Sequence, residues 1–116
     1  MNKIDAKSTI TVDATSTSMG RLASVVAKIL IGKTDPCFQK NKTSHQKVKI
    51  TNLDKCRFTG KKANEKEYRS HSQYPGGLKI KYAKHLSQRQ IFLRTINGML
   101  PKNKQRGQLL KRIIIQ

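Results

Sequence analysis

The chain has 116 residues, of which 25 are Lys or Arg and only 6 Asp or Glu, for a formal net charge of +19. That length supports one modest hydrophobic core and no cleft between domains, and there is neither a run of about 18 apolar residues to span a bilayer nor an apolar export signal in the first 20. The charge is also unevenly spread: the last carboxylate is Glu67, and the 49 residues from Tyr68 to Gln116 hold eleven cations with none to offset them, a balance that calls for a polyanionic partner, above all a nucleic acid.

Residues 1–8 read as a short N-terminal arm, since Asp5 and the strand pattern that follows at once argue against a transit peptide; 9–116 read as a single domain. Ile10, Val12 and Ala14 alternate with polar neighbours, the period of a half-buried strand. After a Ser/Thr turn, Ser18 is placed to cap a helix whose apolar stripe is Leu22, Val25, Val26, Ile29 and Leu30, ending near Gly32. Asp35 to Gln46 is polar and loop-like. Val48 and Ile50 mark a second strand, and "KCRFTG" predicts a short third one ending at Gly60. Lys61 to Glu67 reads as a charged loop, and "SHSQYPGGLK" as a turn-rich segment shaped by its backbone. Ser87 begins a second helix carrying Ile91, Phe92, Ile96 and Met99, stopped by Pro101. A helical turn and an apolar strand, Ile113 to Ile115, follow. Strands alternating with helices predict an α/β fold, a small sandwich with a mostly parallel central sheet flanked by helices.

Several motifs compete for a functional meaning. "ILIGKT" ends like a phosphate-binding loop, but the glycine needed five residues before Gly32 is Ala27. The helical spacing of residues 22 to 31 would also consume the amides such a loop needs. Gly32 is therefore a helix C-cap, and Lys33 either a cation at the negative helix end or a phosphate contact. At the other end, Ser18-Met19-Gly20-Arg21 offers free amides and a guanidinium, either an anion site or a plain cap. Cys37 and Cys56 lack zinc-ligand or redox spacing and read as two buried or half-buried thiols. His45, His71 and His85 are far apart, and no carboxylate follows Glu67 to orient the last two or to hold a metal ion, so no catalytic or metal site is assigned. Tyr68, Arg69, His71, Tyr74, Gly76 and Gly77 interleave aromatic, cationic and flexible residues, which suits a loop that approaches an RNA backbone and stacks on a base; a structural turn is the alternative. Lys102, Lys104 and Arg106 form a basic hinge just past a helix stop.

The pieces "VDATSTSMGRLAS", "FTGKK", "YRSHSQYPGGLK" and "NGMLPKNKQRGQLLKR", in this order, resemble the large-subunit ribosomal protein family called L-thirteen, over nearly the whole span from Thr11 to about Arg112. The resemblance implies a mixed α/β sandwich without catalytic activity, cofactor, metal or small-molecule substrate. It also implies a structural role in the large ribosomal subunit, in the bacterial cytoplasm or an organelle, binding large-subunit rRNA beside neighbouring ribosomal proteins and supporting early subunit assembly. By that resemblance Gly20, Arg21, Lys33, Lys61, Lys62, Arg69, His71, Tyr74, Gly76, Gly77, Lys102, Asn103 and Lys104 are candidate RNA contacts, joined by Arg106 from the hinge. The chain departs from the family where His45-Gln46 replaces a Gly-Asp pair, where "SQRQ" stands in place of a proline and glutamate, and after Gln116, where the family's tail of an aromatic-Ala-Gly step and further histidines is not found.

Overall fold

Alternation in "KVKIT" buries Val48 and Ile50 completely and leaves Lys47 exposed, so this strand carries the core face of a sheet. The computed structural model describes residues 9–116; the expected N-terminal arm, residues 1–8, lies outside the described residues. Three strands, β1 (Thr9–Asp13), β2 (Lys47–Thr51) and β5 (Ile113–Ile115), form a parallel sheet in the order β1-β2-β5. The register pairs Ile10 with Val48 and Val12 with Ile50 on one side, and Val48 with Ile113 and Ile50 with Ile115 on the other. All three strands thus turn their apolar sets to the same face.

That face is covered by helices. α1 (Met19–Ile31) buries Leu22, Ala23, Val26, Ala27, Ile29 and Leu30, and α3 (Gln88–Met99) adds Ile91, Phe92 and Ile96 to the same core. Each fully buried large side chain contributes about 1.5–3 kcal/mol of transfer free energy. The expected caps are present. The Ser87 hydroxyl accepts from the Gln90 amide at 3.3 Å. Gly32 sits at φ +88° as its amide donates to the Ile29 carbonyl and Lys33 reaches back to the Lys28 carbonyl at 3.0 Å, the double closure that favours glycine at a helix end. Ser18 caps α1 by backbone position alone, without a side-chain hydrogen bond. α4 (Arg106–Leu110) leads into β5, as the spacing predicts.

The structure corrects several expectations. "KCRFTG" is not a strand: Leu53–Lys55 forms a 3-10 turn, and only Arg57 bridges to Ser18, its amide donating to the Thr17 carbonyl and its carbonyl accepting from the Met19 amide. Thr17's carbonyl also accepts a hydrogen bond from the Cys56 thiol at 3.0 Å, so this segment is tied to the turn before α1 rather than to the sheet edge. The charged stretch after Gly60 contains a single helical turn, α2 (Lys62–Glu65). The turn-rich segment is the loop of a regular antiparallel hairpin, β3 (Glu67–His71) with β4 (Leu78–Tyr82), separate from the main sheet. Ala14 lies just beyond β1, buried, its amide donating to the Thr51 carbonyl. Cys56 is buried but Cys37 is exposed, because it sits in the polar loop after α1. Two residues of the expected apolar stripes also face outward, Val25 at 48% exposure and Met99 at 40%.

Candidate nucleic-acid interface

The sequence-derived candidates fall on three regions. The first is the start of α1. Met19's amide donates to the Arg57 carbonyl and the helical ladder begins with Leu22 donating to Ser18, so the amides of Gly20 and Arg21 belong to the unsatisfied first turn. Gly20, Arg21 and Lys62 line one cleft of about 390 Å³ between α1, α2, the base of the hairpin and α3. Lys61 lies just before α2, exposed. Arg57 and Lys66 also line this cleft, and Arg94 stands 5.2 Å from the centre of the Tyr68 ring, with Lys66 Nζ at 5.5 Å, distances at which a cation is attracted to the ring face. Burial of the Tyr68 hydroxyl pushes its pKa up, against the opposing pull of Arg94. Sequence reasoning missed Arg57, Lys66 and Arg94, because they come from three separate segments and share no motif.

The hairpin is the second region. Tyr74, at its tip, is 78% exposed. Gly76 adopts φ +73°, and a side chain at Gly77 would collide with Ser72, whose amide donates to the Gly77 carbonyl; "PGG" is thus what closes this loop. His71 pairs with Leu78 and Arg69 with Ile80, so both share a face with Tyr82. Arg69 is held by Glu67 through its Nε at 3.2 Å and a terminal nitrogen at 2.9 Å.

The third region is at the far end of α1, about 20 Å from the first by helical rise. Lys33 follows the C-cap, exposed, while Asn103 of the segment after α3 lines a small groove with Lys40 and Lys42 of the loop after α1. Asn103 also starts α4, since its side-chain oxygen accepts from the Arg106 amide at 3.1 Å. Lys102 and Lys104 project from that segment, exposed, and Arg106 is half-buried. The structure therefore does not bring all candidates into one pocket; it spreads them over a flat body of 56 × 37 × 20 Å.

Carboxylates do little to offset these cations. Among the described residues the only ion pair is Arg69–Glu67. Asp13 instead accepts from the Thr15 amide and hydroxyl and from Asn52 Nδ2, bonds that pull its pKa below the ordinary value, and Asp35 accepts from Gln46 Nε2. Among the described residues, three or more His, Cys, Asp or Glu side chains nowhere converge as a metal site, and no helix is long and apolar enough to cross a membrane.

Fold and surface define a small, strongly cationic α/β protein whose charge is directed outward. The comparisons with known proteins agree with that class and make it specific. The chain belongs to the ribosomal protein L13 family, whose sequence model matches residues 7–115. It is 42% identical over 107 residues to the large ribosomal subunit protein uL13 of Mycoplasmopsis synoviae, covering 90% of this chain and 74% of that protein. To the uL13 of Oenococcus oeni it is 45% identical over 95 residues, 79% of this chain and 64% of that one. The uL13 of Listeria welshimeri is 45% identical over 105 residues, 88% and 72% of the two chains.

Proposed function

We propose that this chain is a structural constituent of the large ribosomal subunit that binds large-subunit rRNA, meets neighbouring ribosomal proteins there, and supports early assembly of the subunit, with residues 9–116 acting as one RNA-binding unit. One observation carries the reading: a net charge of +19 stands against a single ion pair among the described residues. Cations left without carboxylate partners repel one another, and the compact state gains when a polyanion neutralises them. Phosphate contacts by Arg21, Lys33, Lys61, Lys62, Lys102 and Lys104 would supply most of the affinity, and the hairpin loop and the segment after α3 would supply fit to a folded RNA. The spread of candidates over three regions suits an extended RNA surface better than a small ligand.

Binding of the full chain to the large-subunit rRNA of Mycoplasmopsis synoviae, measured across salt concentrations, tests this. If about eight phosphates are neutralised, log affinity falls with log salt at a slope of about −6 to −7. Arg21→Ala or Lys102→Ala should weaken binding and make that slope shallower by about one unit. A wild-type slope near −1, or a protein that sediments only in light fractions of a cell extract, overturns the reading; an unchanged slope in one variant removes that residue from the contacts.

A further inference from the structure

We propose that the cleft between the start of α1 and the base of the hairpin is a pocket for a single nucleotide turned out of folded RNA. The proposal rests on the RNA-binding reading above and adds the place where a base, rather than backbone, is held. At about 390 Å³ the cleft falls in the size range of small-molecule pockets, which admits one unstacked nucleotide.

Its walls divide by chemistry. Met19, Phe58, Ile91 and Met99 line it with apolar surface, while Arg21, Arg57, Lys62 and Lys66 supply positive charge and, among the described residues, no carboxylate lines it. An apolar lining does nothing for a phosphate, and a cationic rim does nothing for an apolar ligand. The two together match a nucleotide, whose base is flat and weakly polar and whose phosphate is anionic. Tyr68, which lines the cleft, adds a second, independent observation: its hydroxyl is buried and has no hydrogen-bond partner among the described residues. A buried hydroxyl left unpaired is costly unless a partner arrives, and a turn of the Tyr68 side chain toward the cleft would let it donate a hydrogen bond to a ring nitrogen or carbonyl oxygen of a base. The phosphate of the same nucleotide would meet the unused amides of Gly20 and Arg21 at the positive end of a 13-residue helix.

Ultraviolet zero-length cross-linking of the full chain to Mycoplasmopsis synoviae large-subunit rRNA, with the cross-linked peptides mapped by mass spectrometry, tests the pocket. Cross-links are expected on the segments carrying Phe58 and Tyr68. Ser24→Phe places a phenyl group in the cleft without altering charge, since Ser24 lines it, with its Oγ 3.6 Å from Met99 Sδ. This variant should bind the rRNA about ten-fold or more weakly, with a salt slope shallower by about one unit as the nucleotide's phosphate leaves the cleft, and with loss of the Phe58 and Tyr68 cross-links. Tyr68→Phe keeps the ring, should weaken binding about two- to ten-fold, and decides the matter together with the wild-type map if Ser24→Phe does not fold. Steep salt-dependent binding with cross-links only elsewhere, as at Tyr74, overturns the pocket and leaves the RNA-binding reading intact, as does a protein peptide found in the cleft instead. Absence of salt-dependent rRNA binding overturns both.

Discussion

Replacing Gly32 by alanine and, separately, Gly98 by alanine makes the same chemical change twice, and the structure requires opposite outcomes. Gly32 lies at φ +88°, a left-handed conformation that costs an alanine about 1–2 kcal/mol. A methyl group there would also stand 2.9 Å from Ser44 Cβ and 3.4 Å from Ser44 Oγ, a crowded contact that adds about 1–3 kcal/mol unless the Lys33–Gln46 loop gives way. The sum is roughly 2–5 kcal/mol of lost stability, a large part of the 5–15 kcal/mol typical of small proteins. Gly98, in contrast, is exposed inside α3, and an added methyl would meet nothing within 4 Å. Alanine there should stabilise by about 0.5–1 kcal/mol, tending to the lower figure near the helix end. Urea unfolding followed by circular dichroism, with equal denaturant slopes for the three proteins, reads both changes from the midpoints. A cost below about 1 kcal/mol at Gly32, or a loss at Gly98 as large as that at Gly32, would refute the assignment of Gly32 as a left-handed helix cap pressed against Ser44.

The two thiols should react at different rates. In the native protein an alkylating reagent should modify Cys37 quickly, while Cys56, buried and donating to the Thr17 carbonyl with its pKa pushed up by burial, is protected until the chain unfolds; equal rates under native conditions would contradict the packing of the segment before Arg57. Asp13 should make stability acid-sensitive. Its folded pKa is depressed, first by the Thr15 hydroxyl, then by the Thr15 amide and Asn52, so its contribution is present above the ordinary aspartate range and is lost as the pH falls through the folded value. The stability difference between wild type and Asp13→Asn should therefore be seen near neutrality and vanish in strong acid, and a difference independent of pH would show that these bonds do not depend on the charge.

The elements legible in the sequence are those with one wet and one dry side. α1 announces itself through Leu22, Val26, Ile29 and Leu30 and stops at the residue that only glycine suits, and β2 through Val48 and Ile50. Hydrophobic periodicity reports burial, and so it fails where there is none. In "EYRSH" and "LKIKY" every residue except Glu67 and Tyr68 is exposed, and the six-residue connection between these strands carries no short hairpin turn signal. The reverse error arises at "KCRFTG", where Cys56 and Phe58 alternate like a strand but are held by the turn before α1. The candidate interface is partly legible for a related reason. A motif can show Gly20-Arg21 or the "PGG" loop, because those residues are consecutive. It cannot show that Arg57, Lys66 and Arg94 gather near Tyr68 across 38 positions of the chain, since only tertiary packing places them there.

Among the described residues no full layer covers the hairpin: Leu78, Ile80 and Tyr82 stand on one face, 54%, 42% and 39% exposed, and Tyr68, the Ala83–Lys66 backbone bond and the edge contact of Tyr82 with His85 fasten only its base. A ribbon of two strands on its own holds together weakly in water. Capture and fit are then separable in time. If the chain binds RNA as proposed, the field of the body would act at a distance and bring it to its target, whereas the ribbon would test the fit only on contact. Discrimination between correct and incorrect targets would then lie in the dwell more than in the collision, so a wrong target would be met as often as a right one and left sooner.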